Sequence, residues 1–433
     1  MSIDLKRLFR VCNPSLTLNI AEPEDKKYYI DFTSVRNANL VNELIRTIKL
    51  SDEHTCQLFT GHVGCGKTTE LLRLKAELEK SNYHVVYFES SDDLDMSDVD
   101  ITDILLVIAR KITDSLAEVG LNISPSYFKK LFGGVKDFLT TDIELDKAEF
   151  SIGLAKISAK SRGSKKLRNK LRDYFESRTD SIVESINNEI LLPAEKQLKD
   201  NGKAGLVVIV DNLDRIISRI VTASRTQPEY IFIDRGEQLI GLTCHLVYTI
   251  PQTLRFSNDA ALLENKFGLS PKILGMIPVK SRNGKSYSKG IKLLKQMIMT
   301  RAYPDLPSNE AFKNVNEIFE DEKILNSFCI KSGGHVRNLL RMVFSCLQKQ
   351  DPPITKEIYF EVLQEFKNEL TIRVEEREWD LLRDVMKTQN VAGEREYHTL
   401  LRSMFVFEYR DDNGAWFGIN PLLKDAEQLK GMK

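Results

Sequence analysis

Phe59-Thr60-Gly61-His62-Val63-Gly64-Cys65-Gly66-Lys67-Thr68-Thr69 fills every fixed position of the pattern G-x-x-x-x-G-K-[ST]. Its flanks suit that pattern. Cys56 to Thr60 is an apolar run short enough for a buried strand. Beyond it, Leu71, Leu72, Leu74 and Leu78 alternate with the good helix formers Lys75, Ala76 and Glu77, which predicts an amphipathic helix. Glycines let the backbone curl until successive N–H groups converge on one anion, and the helix N-terminus adds its dipole. In such a loop Gly61, His62, Val63, Gly64, Cys65, Gly66 and Thr69 surround phosphate. Lys67 is placed to reach the β- and γ-phosphates of a nucleotide, and the Thr68 hydroxyl to ligate Mg²⁺.

A second stretch answers the first. Leu206 to Val210 is an unbroken apolar run, the pattern of a central strand, and Asp211 stands at its C-terminal end. Ligands of open α/β sheets sit at that end, and an acid there can hold Mg²⁺ through its water shell, opposite the phosphate loop. The next residue is Asn212, whose amide cannot take a proton from water. Hydrolysis is then slow or relies on Asp214, which reads equally well as an acid in the first turn of a helix. Two more buried strands are expected, His84 to Glu89 and Cys244 to Ile250, with Ile273 to Val279 as the last of the sheet. The loop acids Asp92, Asp93, Asp95, Asp98 and Asp100 read as a solvated loop before a helix rather than a cation site.

Composition narrows the classes. The 433 residues allow two or three domains, and 62 Lys+Arg balance 62 Asp+Glu, so any nucleic-acid or membrane surface must be local. No apolar run approaches the ~20 residues of a membrane span, and no long apolar core follows the N-terminus as in a leader. Six scattered cysteines with no C-x-x-C pair fit a reduced, cytoplasmic setting. One basic run, with Lys160, Arg162, Lys165, Lys166, Arg168 and Lys170 between Lys156 and Arg172, either tracks a phosphate backbone or, as such runs more often do, forms a solvated helix face or meets an acidic partner; no aromatics are interleaved to stack bases.

The expected order of parts is an N-terminal arm over 1–27, an α/β core over 28–280 with a helical insertion at about 121–200, a helical lid over 281–354, and a linker helix and winged helix over 355–433. The last rests on two helical patterns followed by aromatic strands around Asn413-Gly414, a strong hairpin signal. Its second helix carries Glu394, Arg395, Glu396, His398 and Arg402, a mixed face that suits protein contact better than DNA.

The phosphate loop at 61–68, Asp211-Asn212-Leu213-Asp214-Arg215, the turn Gly333-Gly334-His335-Val336-Arg337 and the terminal winged helix together resemble P-loop ATPases of the AAA+ and STAND type. The order of parts is similar to origin-recognition-like replication initiators and to bacterial regulatory and conflict-system ATPases. Asp-Asn-Leu-Asp-Arg also resembles the Asp-Asp-Leu-Asp-Arg of KAP-family NTPases. The chain departs from initiators at Asn212 and in the long insertion, and from the KAP family in lacking membrane segments. The resemblance implies a three-layer α/β P-loop NTPase core with a parallel sheet, helical lid and C-terminal winged helix. It implies an ATP- and Mg²⁺-dependent switch that self-associates or engages a partner protein, in a regulatory or antiviral defence setting, with a DNA-binding initiator-like ATPase or a nucleotide-binding scaffold as alternatives. Asp211 takes the Walker B position, Thr249 that of a sensor beside the γ-phosphate, Arg337 that of a lid sensor, and Val35 and Arg36 that of an adenine pocket. Arg225 and Arg235 are candidates to complete a neighbour's site or to form surface ion pairs.

Overall fold

The computed structural model describes residues 3–36, 39–121, 123, 125–135, 165–222 and 225–429. Its strands are β1 (Cys56–Gly61), β2 (His84–Glu89), β3 (Leu206–Asp211), β4 (Ile220–Thr222), β5 (Arg225–Thr226), β6 (His245–Thr249), β7 (Lys272–Leu274), β8 (Val406–Asp411) and β9 (Gly414–Ile419). Five of them form one parallel sheet in the order β2-β3-β6-β1-β7. The unbroken apolar runs of β2 and β3 follow from this, because a parallel sheet is covered on both faces. One face buries Val86, Val208, Leu246 and Tyr248 against the helix Ile101–Glu118 and the segment 182–198. The other buries Phe59, Val85, Ile209 and Val247 against the helices Leu40–Leu50 and Lys67–Lys80. The α/β three-layer core read from the sequence is what is observed.

The strand order matters for the site. β6 lies between β1 and β3, pairing Phe59 with Thr249 and Val210 with Tyr248. The phosphate loop after β1 and the acids after β3 therefore emerge at one edge of the sheet, one strand apart, where a ligand can lie between them.

Two charge runs neutralise each other. Arg168 reaches Asp95 at 2.9 Å and Asp98 at 3.0 Å; Arg172 reaches Asp98 at 3.2 Å and Asp100 at 2.9 Å. Arg110 and Lys111 take Asp93. Acids of this loop thus pair with guanidinium and ammonium groups, and these two arginines of the basic run are engaged within the chain. Lys156, Lys160 and Arg162 lie outside the described residues.

The N-terminal segment does more than an arm would. The helix Leu5–Cys12, capped by Asp4, puts Leu8 and Cys12 into the lid's core beside Ile291, Leu294, Leu339 and Val343. Ile30, Phe32 and Val35 join the same core. The last strand is also shorter than the apolar run suggested. β7 stops at Leu274 because Met276 N–H turns to Glu408 O at 2.9 Å, and Ile277 and Val279 pass into the lid. Gly334, at φ +80°, lets the lid meet that segment; a Cβ there would lie 1.7 Å from Ile277 O.

The helices Glu378–Thr388 and Arg395–Arg402 and the hairpin β8–β9 make the winged helix. Strand alternation divides the hairpin between two cores. Val406, Phe417 and Ile419 pack with Trp379, Leu382 and Leu400, whereas Phe407, Tyr409 and Trp416 pack onto the sheet's second face. The wing is therefore built into the back of the phosphate-loop region. Among the described residues no helix is long and apolar enough to cross a membrane.

Candidate nucleotide-binding site

Gly64 and Gly66 take φ values of +84° and +105°, so the loop curls before Lys67 opens its helix. The Lys67 ammonium donates to Gly61 O at 2.9 Å and His62 O at 3.0 Å and pairs with Asp214 at 2.9 Å. Burial works against that charge, but the Asp214 carboxylate outweighs it and holds the lysine above its ordinary pKa. Thr68 Oγ1 donates to Asp211 Oδ2 at 2.7 Å, and Tyr87 OH donates to the same oxygen at 3.1 Å. Burial, then the charge of Asp214, raises the Asp211 carboxyl. The second oxygen of Asp214, Oδ1, is buried with no hydrogen-bond partner among the described residues.

Three arginines line this cleft, Arg301, which donates to Val11 O and Met297 O, and the pair Arg215 and Arg337. Arg215 follows Asp214 on the β3 loop; Arg337 opens the lid helix Val336–Lys349. Among the described residues neither has a carboxylate within ion-pair distance. Burial, then the charge of Arg215, pushes the Arg337 group below its usual pKa. Two like charges this close favour an anion between them, with Asp214 and Glu89 offsetting them only from a distance. The lid touches the loop directly as well. His335 Nε2 bonds Val63 O at 2.8 Å and Arg337 N–H reaches Gly64 O at 3.3 Å. Pro14, Leu16 and Leu18 of the N-terminal segment, with Val336 and Leu340, supply apolar wall.

The fold is that of a P-loop NTPase.

Solved structures to which the chain is similar include three archaeal proteins. The ORC1 protein of Aeropyrum pernix in complex with DNA is 10% identical, with 94% of this chain and 96% of that chain covered and a TM-score of 0.40. The ORC2 protein of Aeropyrum pernix, in ADPNP–ADP complexes, is 13% identical over 97% and 94%, with a TM-score of 0.38. Cdc6p of Pyrobaculum aerophilum is 13% identical over 92% and 94%, with a TM-score of 0.39. No protein-family model and no curated protein sequence matches the chain.

Several residues singled out from the sequence take other places around the P-loop. Arg36 is buried behind the loop, its Nη2 donating to Cys65 O at 2.6 Å, and does not line the cleft; that carbonyl, cut off from water, needs a donor. Cys65 is buried beside it. Val63, Gly64, Gly66 and Thr69 do line the cleft. Thr249 is fully buried and does not line the cleft: its Oγ1 accepts from Leu213 N–H at 3.0 Å, tying β6 to the loop that carries Asp214. Thr249→Val should cost about 1–3 kcal/mol in chemical denaturation by leaving that N–H unsatisfied; an unchanged midpoint would rule the tie out. Arg225 pairs with Asp234 and Asp259, and Arg235 with Glu176, so both are engaged within this chain. Arg215 and the Pro14–Leu18 segment went unmarked in the sequence. Arg215 had a signal, its place beside Asp214; the segment had none, since it lies far before the loop in the chain.

The His62 side chain points away from the cleft, to the wing. Its Nε2 accepts from Glu408 N–H at 2.9 Å, and Phe407 lies between the rings of His62 and His335, with centroids 5.8 Å from each. Burial, then the proximity of His335, lowers the His62 pKa to about 3; burial lowers that of His335 to about 4. Unfolded histidine titrates near 6.5, so between pH 6.5 and 4 the unfolded chain binds more protons and stability falls with pH. Each depressed imidazole contributes on the order of 2 kcal/mol to that loss by pH 5. Thermal melts from pH 7.5 to 5 should show the fall, reduced in His62→Gln; parallel profiles would disprove it.

Proposed function

We propose that the chain binds ATP in this cleft and hydrolyses it, and that the nucleotide sets how the lid and the winged helix sit on the core. The observation that carries this reading is the arrangement around the P-loop: Lys67 and Thr68 on Asp214 and Asp211, faced by Arg215 and Arg337, two cations with no ion pair within 4 Å among the described residues. Arg337 belongs to the lid, so a triphosphate between it and Lys67 joins lid to core. Phe407 belongs to the wing and packs on both His62 and His335, so a shift of lid against loop reaches the winged helix. Thr68 and Asp211 would hold Mg²⁺. A hydroxyl with one carboxylate suits a hard cation that keeps several waters, and the ion would neutralise charge on the phosphate oxygens. Pro14, Leu16, Leu18 and Leu340 offer apolar surface for the base.

The reading includes assembly with further copies or with a partner protein. The regulatory or antiviral defence setting implied by the resemblance belongs to it as well. The test is binding of a fluorescent ATP analogue, phosphate release and mass by light scattering, with and without ATP and Mg²⁺. Saturable binding lost in Lys67→Ala supports nucleotide binding, and ATP-dependent growth in mass supports assembly. Equal signals from wild type and variant would sink the reading.

A second reading is a DNA-binding ATPase. Arg395, His398 and Arg402 share a face of the second winged-helix helix and border a cavity with Ile220 and Thr253 of the core. One of the similar structures is a DNA complex. That helix face is turned toward the core, and His398 bonds Phe256 O at 3.2 Å, so duplex reaches it only if winged helix and core part. Nucleotide-dependent DNA affinity that falls steeply with salt would favour this reading.

A further inference from the structure

Glu89 ends β2, and the parallel register sets it directly beside Asp211 at the end of β3. Its Oε2 accepts a hydrogen bond from the Asn212 amide at 2.5 Å, and the same amide donates to Ser91 Oγ at 3.1 Å. The Asn212 side chain is thereby fixed, and so is the carboxylate it holds. Glu89 is only half-buried. It lies within electrostatic range of Arg337 and of Arg215, two of the cations lining the cleft.

The backbone explains why the acid stands on β2. Asn212 sits at φ +66°, in the left-handed region that asparagine tolerates better than glutamate. The position straight after Asp211 is therefore poorly suited to a glutamate. The end of the adjacent strand can present a carboxylate to the same edge of the sheet without that strain. Asp214, the other nearby acid, is already paired through Oδ2 to Lys67.

We propose that Glu89, held by the Asn212 amide, is the general base of ATP hydrolysis in this cleft; the assignment rests on the ATPase reading above. Glu89 accepts one proton from water as the water oxygen bonds to the γ-phosphorus. The bond from that phosphorus to the β–γ bridging oxygen breaks, and its electron pair stays on the ADP oxygen. The proton then passes from Glu89 to the inorganic phosphate or to solvent. Asn212 is a positioning residue: it touches Glu89.

The test uses the full chain, as wild type, Glu89→Gln, Asn212→Ala and Lys67→Ala, with affinity for a fluorescent ATP analogue and single-turnover phosphate release measured on each. Glu89→Gln keeps the shape and an acceptor for the Asn212 amide. It should bind nucleotide within about threefold of wild type and release phosphate about 10²-fold or more slowly, the usual worth of a general base. Asn212→Ala should lower the rate constant with affinity kept, because it frees the base without removing it. Turnover of Glu89→Gln within fivefold of wild type overturns the assignment. So does loss of nucleotide binding in Glu89→Gln, which would make the residue structural, or wild type that binds without turning over. Absence of binding in wild type itself would instead bring down the nucleotide reading, and the assignment with it.

Discussion

Lys67→Ala is expected to abolish ATP turnover, lowering it by about 10²–10³-fold or more, the scale for removing one preorganised charge from a buried site. The lysine is 6% exposed and gives its three protons to Gly61 O, His62 O and Asp214. Its charge is held at one point beside the loop, and an entering phosphate takes a proton now shared with Asp214 or a loop carbonyl. Removing it also strands the Asp214 carboxylate, which is 4% exposed, and that costs stability as well as function. The two effects separate by measurement. Circular dichroism and a thermal melt report folding, and the fluorescent analogue reports binding. A folded variant that binds and turns over near the wild-type rate would remove Lys67 from the site.

The second large effect lies at the joint between core and wing. Glu408 is 0% exposed, and its carboxylate takes Gln252 Nε2 at 2.6 Å, Arg255 at 2.7 Å and Arg410 at 3.3 Å. Gln252 and Arg255 come from the segment after β6, so this cluster joins the core to β8. Glu408→Ala leaves a largely buried guanidinium and a buried amide without their acceptor. The expected cost is about 3–5 kcal/mol, the range for breaking one side of a buried ion pair. The hairpin should also release from the P-loop's back, since His62 bonds the backbone of this same residue. Chemical denaturation should shift accordingly, and limited proteolysis should open the winged-helix region first. Glu408→Gln, which keeps an acceptor, should lose less. A loss under about 1 kcal/mol in Glu408→Ala would show that the cluster does not hold the joint.

The sheet and the loop were legible because their signals are local. G-x-x-x-x-G-K-T between an apolar run and an amphipathic helix, and five apolar residues ending in Asp211, carry strand, turn and helix in a dozen residues each. The Asn-Gly hairpin was legible for the same reason. The site's surroundings were not. The chain order predicts that Arg36 and Thr249 face nucleotide, yet each bonds a buried backbone group instead, Cys65 O and Leu213 N–H.

The sequence by itself determined that a phosphate loop, an acid-tipped strand, a lid turn and a terminal hairpin lie on one chain, because short-range periodicity and turn chemistry specify elements. Only the tertiary structure decided what meets what. It set Arg215 and Arg337 together over the loop, put Glu89 beside Asp211 through strand register, and seated Phe407 between His62 and His335. These contacts join residues dozens to hundreds of positions apart. They follow from the order of strands in the sheet and from which polar groups burial leaves in need of a partner, and neither is written in any local stretch.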